Sequence, residues 1–482
     1  MPLQRRVIAA YAGVALTSEL MATFWGLYAL HYLTDDAGLE PLYTGILVIV
    51  YRVWDAFNDL LIGHLSDNTT SARWGKRRGW MLGGILPYVI TYTLFWWVPF
   101  LNRVVLDISD STELHYVRQA ILFVYYLVIL AICDAGFTAV SVAYLALLGE
   151  LTDNTQEKFS LNLWRSILGG IGSILSVICA GVLALPAVEI ALFDGQHLKG
   201  WVYLALVYST LYSGSVIWCV FQTKGIDVLQ NATRTTGRRR WWQFFGRMRQ
   251  LMQYKNVRLS VWIWVATATA VQFSLACLAY FFLDLLEADE SAMAMVILTA
   301  LACAVLTGIV IKAAFSTSEK RSILRIGLLV WCTFYFVLPF ITQFSWRLYP
   351  TSLIIGIGLG ISMVIPYAMV ADTADYIDYV TEERQDGILL GMLQFFNKLL
   401  LGVLILVFQG GLHFTGFEHG QPLSTAAEYM IRGGLFLPVL LIYGAFWANS
   451  HYELTTQQMA TIREELQVRR SSIEFKIGTE AK

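Results

Sequence analysis

The chain has 482 residues, 57% of them hydrophobic and 14% charged, with a formal net charge of −1. Charged residues make up roughly a quarter of an ordinary soluble domain, so a chain of this length with a mean hydropathy of +0.57 is excluded from that class and has lipid as its main solvent. The sum of the charges says nothing about partners; their distribution does.

Met1 to Arg6 followed by an apolar run imitates a secretory leader. The run continues past Leu30, carries Glu19 and lacks a small-residue cleavage site, so it reads as the first membrane span. A helix needs about 20 apolar residues to cross the hydrocarbon core. In chain order the windows that qualify are 7–33, 41–64, 79–101, 119–148, 161–186, 201–221, 260–285, 292–312, 322–344, 350–372, 388–410 and 430–450. Helices satisfy every backbone group within one segment, and the alternation of a barrel strand is absent. The predicted fold class is therefore an all-α membrane protein with twelve transmembrane helices.

One long polar interruption, 222–259, divides the spans into an N-terminal six-helix bundle over 1–221 and a C-terminal six-helix bundle over 260–450, with a tail over 451–482. This is the plan of a two-bundle transporter with a pseudo-twofold axis along the membrane normal. Arg238–Arg239–Arg240–Trp241–Trp242 and the apolar residues after it suggest an interfacial amphipathic helix or a plain tether. A cytoplasmic loop explains this basic run without nucleic acid.

Lysines and arginines collect on alternate loops, among them Arg5, Arg6, Arg73, Lys76, Arg77, Arg78, Lys158, Lys320, Arg321 and the tail. The opposite loops hold Arg103, Arg118, Lys199, Arg347 and Arg432. The positive-inside rule then places both termini in the cytoplasm, where the sequons at Asn68 and Asn231 stay unmodified. The six cysteines all fall inside apolar segments without metal-ligand spacing and read as small hydrophobes.

An ionisable residue deep in a span costs about 2.5–3.5 kcal/mol on the insertion scale, so each needs a reason. Asp55 and Asp59 are four residues apart and share one helix face, with Asn58 and Arg52 alongside. Two carboxylates so close in a low dielectric need a counter-charge. Oxygen ligands suit a hard cation, so the pair is a candidate site for Na⁺, or for a proton. The alternative is that Arg52 or Lys398 pairs with them merely to lock the bundle. Asp134 is a further acid in the fourth span, with no specific partner assigned. Lys398 lies alone in Gln394–Phe395–Phe396–Asn397–Lys398–Leu399 and is expected to face carboxylates across the bundle interface. No HExxH or GxSxG pattern occurs, so the chain is not read as an enzyme.

Four stretches together resemble the glycoside–pentoside–hexuronide:cation symporters, the melibiose permease-like branch of the major facilitator superfamily. They are Asp55–Ala56–Phe57–Asn58–Asp59 with Gly63 to Asp67 and Arg73 to Arg78; Glu150–Leu151–Thr152 followed by Arg165; Met369 to Tyr376; and Gln394 to Lys398. The resemblance implies a major facilitator fold and cation-coupled symport of a sugar, glycoside or sugar acid by alternating access. It implies that Asp55 and Asp59 bind the cation, with Asn58 tuning ion choice and Thr138 beside them. It assigns Glu19 and Arg165 to the sugar, Lys398 to coupling at the substrate site, and Ser141 and Leu145 to positions where melibiose permease has an aspartate and a tryptophan. Those departures point away from galactosides, and the guanidinium of Arg165 suits an acidic sugar. Arg73, Arg77, Asp372, Asp375 and Arg384, with Glu382, are expected to form an inner gate.

No cofactor is implied beyond the coupling ion. The expected partners are the solute, the cation and the lipid bilayer, a monomer suffices, and the expected location is the bacterial inner membrane. The rival readings are a carrier of another solute class, such as a lysolipid, and a non-transport membrane sensor.

Overall fold

The protein is described by a computed structural model that covers residues 4–69, 74–75, 77–97, 112–152, 155–183, 190–192, 196–198, 200–224, 243–314, 319–383, 385–417 and 422–480. Twelve long helices carry the described fold. Those of the first half are α1 (Arg5–His31), α2 (Pro41–Asn68), α3 (Arg78–Phe95), α4 (Thr112–Leu151), α5 (Thr155–Leu183) and α6 (Gly200–Gln222). Those of the second half are α7 (Lys255–Ala279), α8 (Glu290–Ala314), α9 (Lys320–Tyr335), α10 (Leu348–Thr381), α11 (Asp386–Phe414) and α12 (Phe436–His451). A short antiparallel hairpin pairs Ile190–Leu192 with Gln196–Leu198. A helix at Gln243–Leu251 lies in the middle segment; Arg238 to Trp242 fall outside the described residues.

Ten of the helices are long and apolar enough to cross a membrane. The other two, α2 and α3, pack among them: α2 against α4 and α11, and α3 against α4 and α6. Arg52, Asp55 and Asp59 lower the apolarity of α2, which is the expected cost of a functional span. Within the first half α1 lies on α5 and α6; within the second, α7 lies on α10, α11 and α12, and α10 on α8 and α9. The halves meet along α2 with α11, α5 with α8, and α1 with α7.

Several helix ends differ from expectation for local reasons. α9 stops at Tyr335 and passes into a 3₁₀ turn at Leu338–Phe340, because Pro339 cannot continue the ladder. The last span is two pieces, Thr425–Gly434 and α12. α10 runs on to Thr381, well past residue 372, because its terminal acids find cations. Lys320 donates to Asp372 at 2.6 Å, and Arg463 donates to Asp372 at 2.8 Å and Asp375 at 2.9 Å. Arg469 bonds Asp378. Hydrogen bonding to Asp375, reinforced by Asp372, raises the pKa of Arg463 further above its already high value. Arg463 and Arg469 belong to a tail helix, Thr456–Glu480, that lies along α10.

The approach of α5 to α1 positions the candidate solute site. A Cβ on Gly172 would stand 2.1 Å from the carbonyl oxygen of Leu16, so only glycine fits there. One turn away, the same approach brings Glu19 Cγ within 3.2 Å of where a Gly169 Cβ would be. Gly172→Ala is expected to push the helices apart and to cost about 1–3 kcal/mol. A lower unfolding temperature of the detergent-solubilised protein checks it; an unchanged one would mean that the contact is loose.

Candidate functional site

The intramembrane charges of α2 meet those of α4 and α11. Asp55 and Asp59 project from one face of α2 toward Lys398 on α11, whose ammonium donates to Asp55 and, at 2.5 Å, to Asp59. Arg52 stands 3.5 Å from the second oxygen of Asp55. Thr138 on α4 donates to Asp59 at 3.1 Å. Asn58 turns to α4 and donates to Asp134 at 2.9 Å. The side chain of Asp59 is 30% exposed, against 7% for Asp55 and 13% for Lys398, so Asp59 is the acid of the pair most open to an incoming ion.

Asp134 is the residue that sequence reasoning left without a partner. Its spacing held the signal: Asp134 and Thr138 are four apart, so both face α2, and Thr138 was already placed beside the acids. The cluster thus contains three carboxylates and two basic groups. If all are ionised, one negative charge is left over.

The second group lies along α1 and α5. Glu19 is exposed at the α1–α5 contact, and Arg165 lies on α5 one turn before Gly169. Tyr367 on α10 is within electrostatic reach of both, and its ring meets Trp264 on α7 edge-on at 5.5 Å. Tyr11 and Tyr144 stack at 4.5 Å within reach of Arg165, and Tyr144 donates to the Tyr11 carbonyl at 2.8 Å. Sequence reading found Glu19 and Arg165 but none of these aromatics, because tyrosine and tryptophan are common throughout the spans. Ser141 is half-buried and returns its hydroxyl to the carbonyl of Thr138 at 3.5 Å; Leu145 is exposed.

Of the expected gate residues, Arg77, Asp372, Asp375 and Glu382 lie among the described residues. Arg77 donates to Ser66 at 2.8 Å within the first half, whereas Asp372 and Asp375 are held by Lys320 and Arg463 of the second. The tail helix, whose reach the sequence did not indicate, supplies that competing cation. Arg73 and Arg384 lie outside the described residues.

The sequence matches the family described as MFS/sugar transport protein over residues 10–456. The chain belongs to that family. This transporter is 25% identical to the inner membrane symporter YicJ of Escherichia coli K12, over 91% of this chain and 90% of that one. It is 23% identical to the glucuronide carrier protein homolog of the same organism, over 82% and 80% of the two chains. Its fold matches a bacterial homolog of the human lysosomal transporter Spinster, solved in an inward-facing, occupied conformation. There the TM-score is 0.65 at 12% identity, over 94% of this chain and 97% of that one. The MFS transporter is an integral membrane protein and a secondary carrier, not an enzyme. Its chemistry is the cation-coupled symport of a sugar-class solute.

Proposed function

We propose that this transporter imports an acidic sugar together with one monovalent cation, bound at Asp55, Asp59 and the residues around them. The observation that carries the reading is the bridge from Lys398 to both acids. It joins α11 of one half to α2 of the other and puts an ammonium where a coupling ion would bind. That bridge also fits the locking alternative, but two features favour an ion. Asp59 is partly open, and Asp134 adds the charge that one Na⁺ or one proton would cancel. An ion entering at Asp59, with Thr138 and Asn58 beside it, displaces Lys398 and loosens one tie between the halves.

Glu19 and Arg165 form the solute site in this reading. The fork of Arg165 takes the acid group and Glu19 accepts from the hydroxyls, while Tyr367, backed by the buried Trp264, offers an aromatic face. The glucuronide carrier homolog supports an acidic sugar. Cation and solute raise each other's affinity by the same factor. The carrier sits in the bacterial inner membrane with both termini in the cytoplasm, as its basic loops direct.

Uptake by right-side-out vesicles over neutral and acidic sugars, with and without Na⁺, tests this directly. The expected result is accumulation of a uronate or sulfonated sugar that depends on Na⁺ or on the proton gradient. Accumulation restricted to uncharged glycosides would remove the acidic solute from the proposal. Equilibrium binding without flux would remove transport itself.

A further inference from the structure

α1 and α7, the first helices of the two halves, both end in a π-helical turn: Tyr32–Asp36 after α1 and Tyr280–Leu285 after α7. Such turns shift the side-chain register by a fraction of a turn and are frequent at functional sites. Here they bring three side chains together at the end of the molecule opposite the tail helix. His31 Nε2 contacts Asp35 Oδ2 and lies 3.4 Å from Asp284 Oδ2. All three atoms fall within 4.8 Å of one another, and the side chains are 11%, 2% and 12% exposed. The surroundings hold them in place. Thr34 donates to the other oxygen of Asp35 at 2.8 Å, and the Tyr280 ring lies 5.3 Å from that of His31. Tyr280 in turn donates to the Leu30 carbonyl at 3.1 Å and accepts from Gln409 at 2.9 Å.

We propose that His31, Asp35 and Asp284 bind a divalent transition metal of the Zn²⁺ class, and that this ion fastens the two halves of the transporter together. One ring nitrogen and two carboxylate oxygens, each a metal-ligand atom, converge on one point. A metal about 2.0–2.2 Å from each ligand serves all three at once. One imidazole and two carboxylates form a donor set for zinc and its neighbours, with a fourth position for water or an anion. The imidazole separates this site from the all-oxygen cluster at Asp55 and Asp59, which suits a hard monovalent ion. Thr34, donating to the oxygen of Asp35 that does not face the ion, is the outer-shell group that orients its carboxylate.

His31 and Asp35 belong to the first half and Asp284 to the second. The ligands separate when this end opens, so the metal binds the closed arrangement and, by linkage, stabilises it. Other contacts cross between the halves at the same end: Tyr280 to the Leu30 carbonyl at 3.1 Å, Thr34 to Tyr280 at 2.9 Å and Glu40 to His413 at 3.6 Å. The site would make transport sensitive to trace metal, whatever the solute.

The test uses the full-length protein, purified without a polyhistidine tag, with Co²⁺ as the probe. One Co²⁺ per chain is expected, with the visible absorption of a four-coordinate ion, displaced by Zn²⁺. H31Q and D284N, each eluting as the wild type does, are expected to weaken binding by at least about a hundredfold. T34V, which keeps all three ligands, is expected to weaken it about tenfold. Wild-type protein that takes up no Co²⁺ would overturn the proposal, as would H31Q protein that binds it unchanged. If the ligand variants fail to fold, the wild type and T34V decide: no Co²⁺ on the wild type, or unaltered Co²⁺ affinity in T34V, would overturn the proposal.

Discussion

Asp59→Ala is expected to abolish the dependence of solute accumulation on the cation while leaving the carrier in the membrane. The variant removes the most accessible acid of the cluster and lets Lys398 pair with Asp55 alone. What remains is two carboxylates and two basic groups, a balanced set with no charge left to hold an ion. Coupling free energies of about 1–3 kcal/mol correspond to a stimulation of about 5- to 150-fold. That factor should fall to one, with solute exchange down a gradient retained. Asp134→Asn should do the same although Asp55 and Asp59 are intact, because it removes the same excess charge from the other side of Asn58. Undiminished uphill uptake by the first variant would defeat the coupling assignment. Intact coupling in the second, with loss in the first, would confine the ion to the α2 acids.

The other large effect is expected at Arg165. Replacement by glutamine keeps a polar side chain of similar reach but removes the charge and the fork. Hydrogen bonds to charged groups contribute about 1.5–3 kcal/mol each, so losing a bidentate pair should weaken an acidic sugar by about a hundredfold or more. Binding of the purified protein to the solute found in the uptake panel gives the number. Arg165→Lys should recover only part of it, since an ammonium cannot match both oxygens. Equal losses for a neutral analogue would show that Arg165 shapes the cavity and does not read the acid.

How much of this was legible in the sequence depended on the range of the interaction concerned. The Asp55–Asp59 pair was visible because its spacing is local, and the solitary Lys398 because a lone ammonium in an apolar stretch demands a partner. Ten of the twelve expected spans are legible from length and hydropathy; α2 and α3 fall short of that measure and are placed by their packing. Asp134 was harder: its partner lies on another helix, and only the rotation of α4 about its axis shows that they meet. The expected gate overlooked the tail, whose Arg463 is far from Asp372 in sequence and nothing in the local pattern couples them. The π turns were hidden for a different reason. Each departs from the 3.6-residue repeat for a single turn, too briefly to disturb a hydropathy window.

The tail helix grips α10 through Arg463 and Arg469, and every described acid it bonds belongs to the second half. In the alternating-access reading it is expected to travel with that half. A fluorophore on an exposed tail position such as Val468, paired with one on the first half, reads the angle between the halves as a distance. Paired instead with one on α9, it reads a distance that stays fixed, so the molecule carries its own reference ruler. Because the Arg463 pairs are half-open to water, that ruler should hold at low ionic strength and begin to slip as salt screens them.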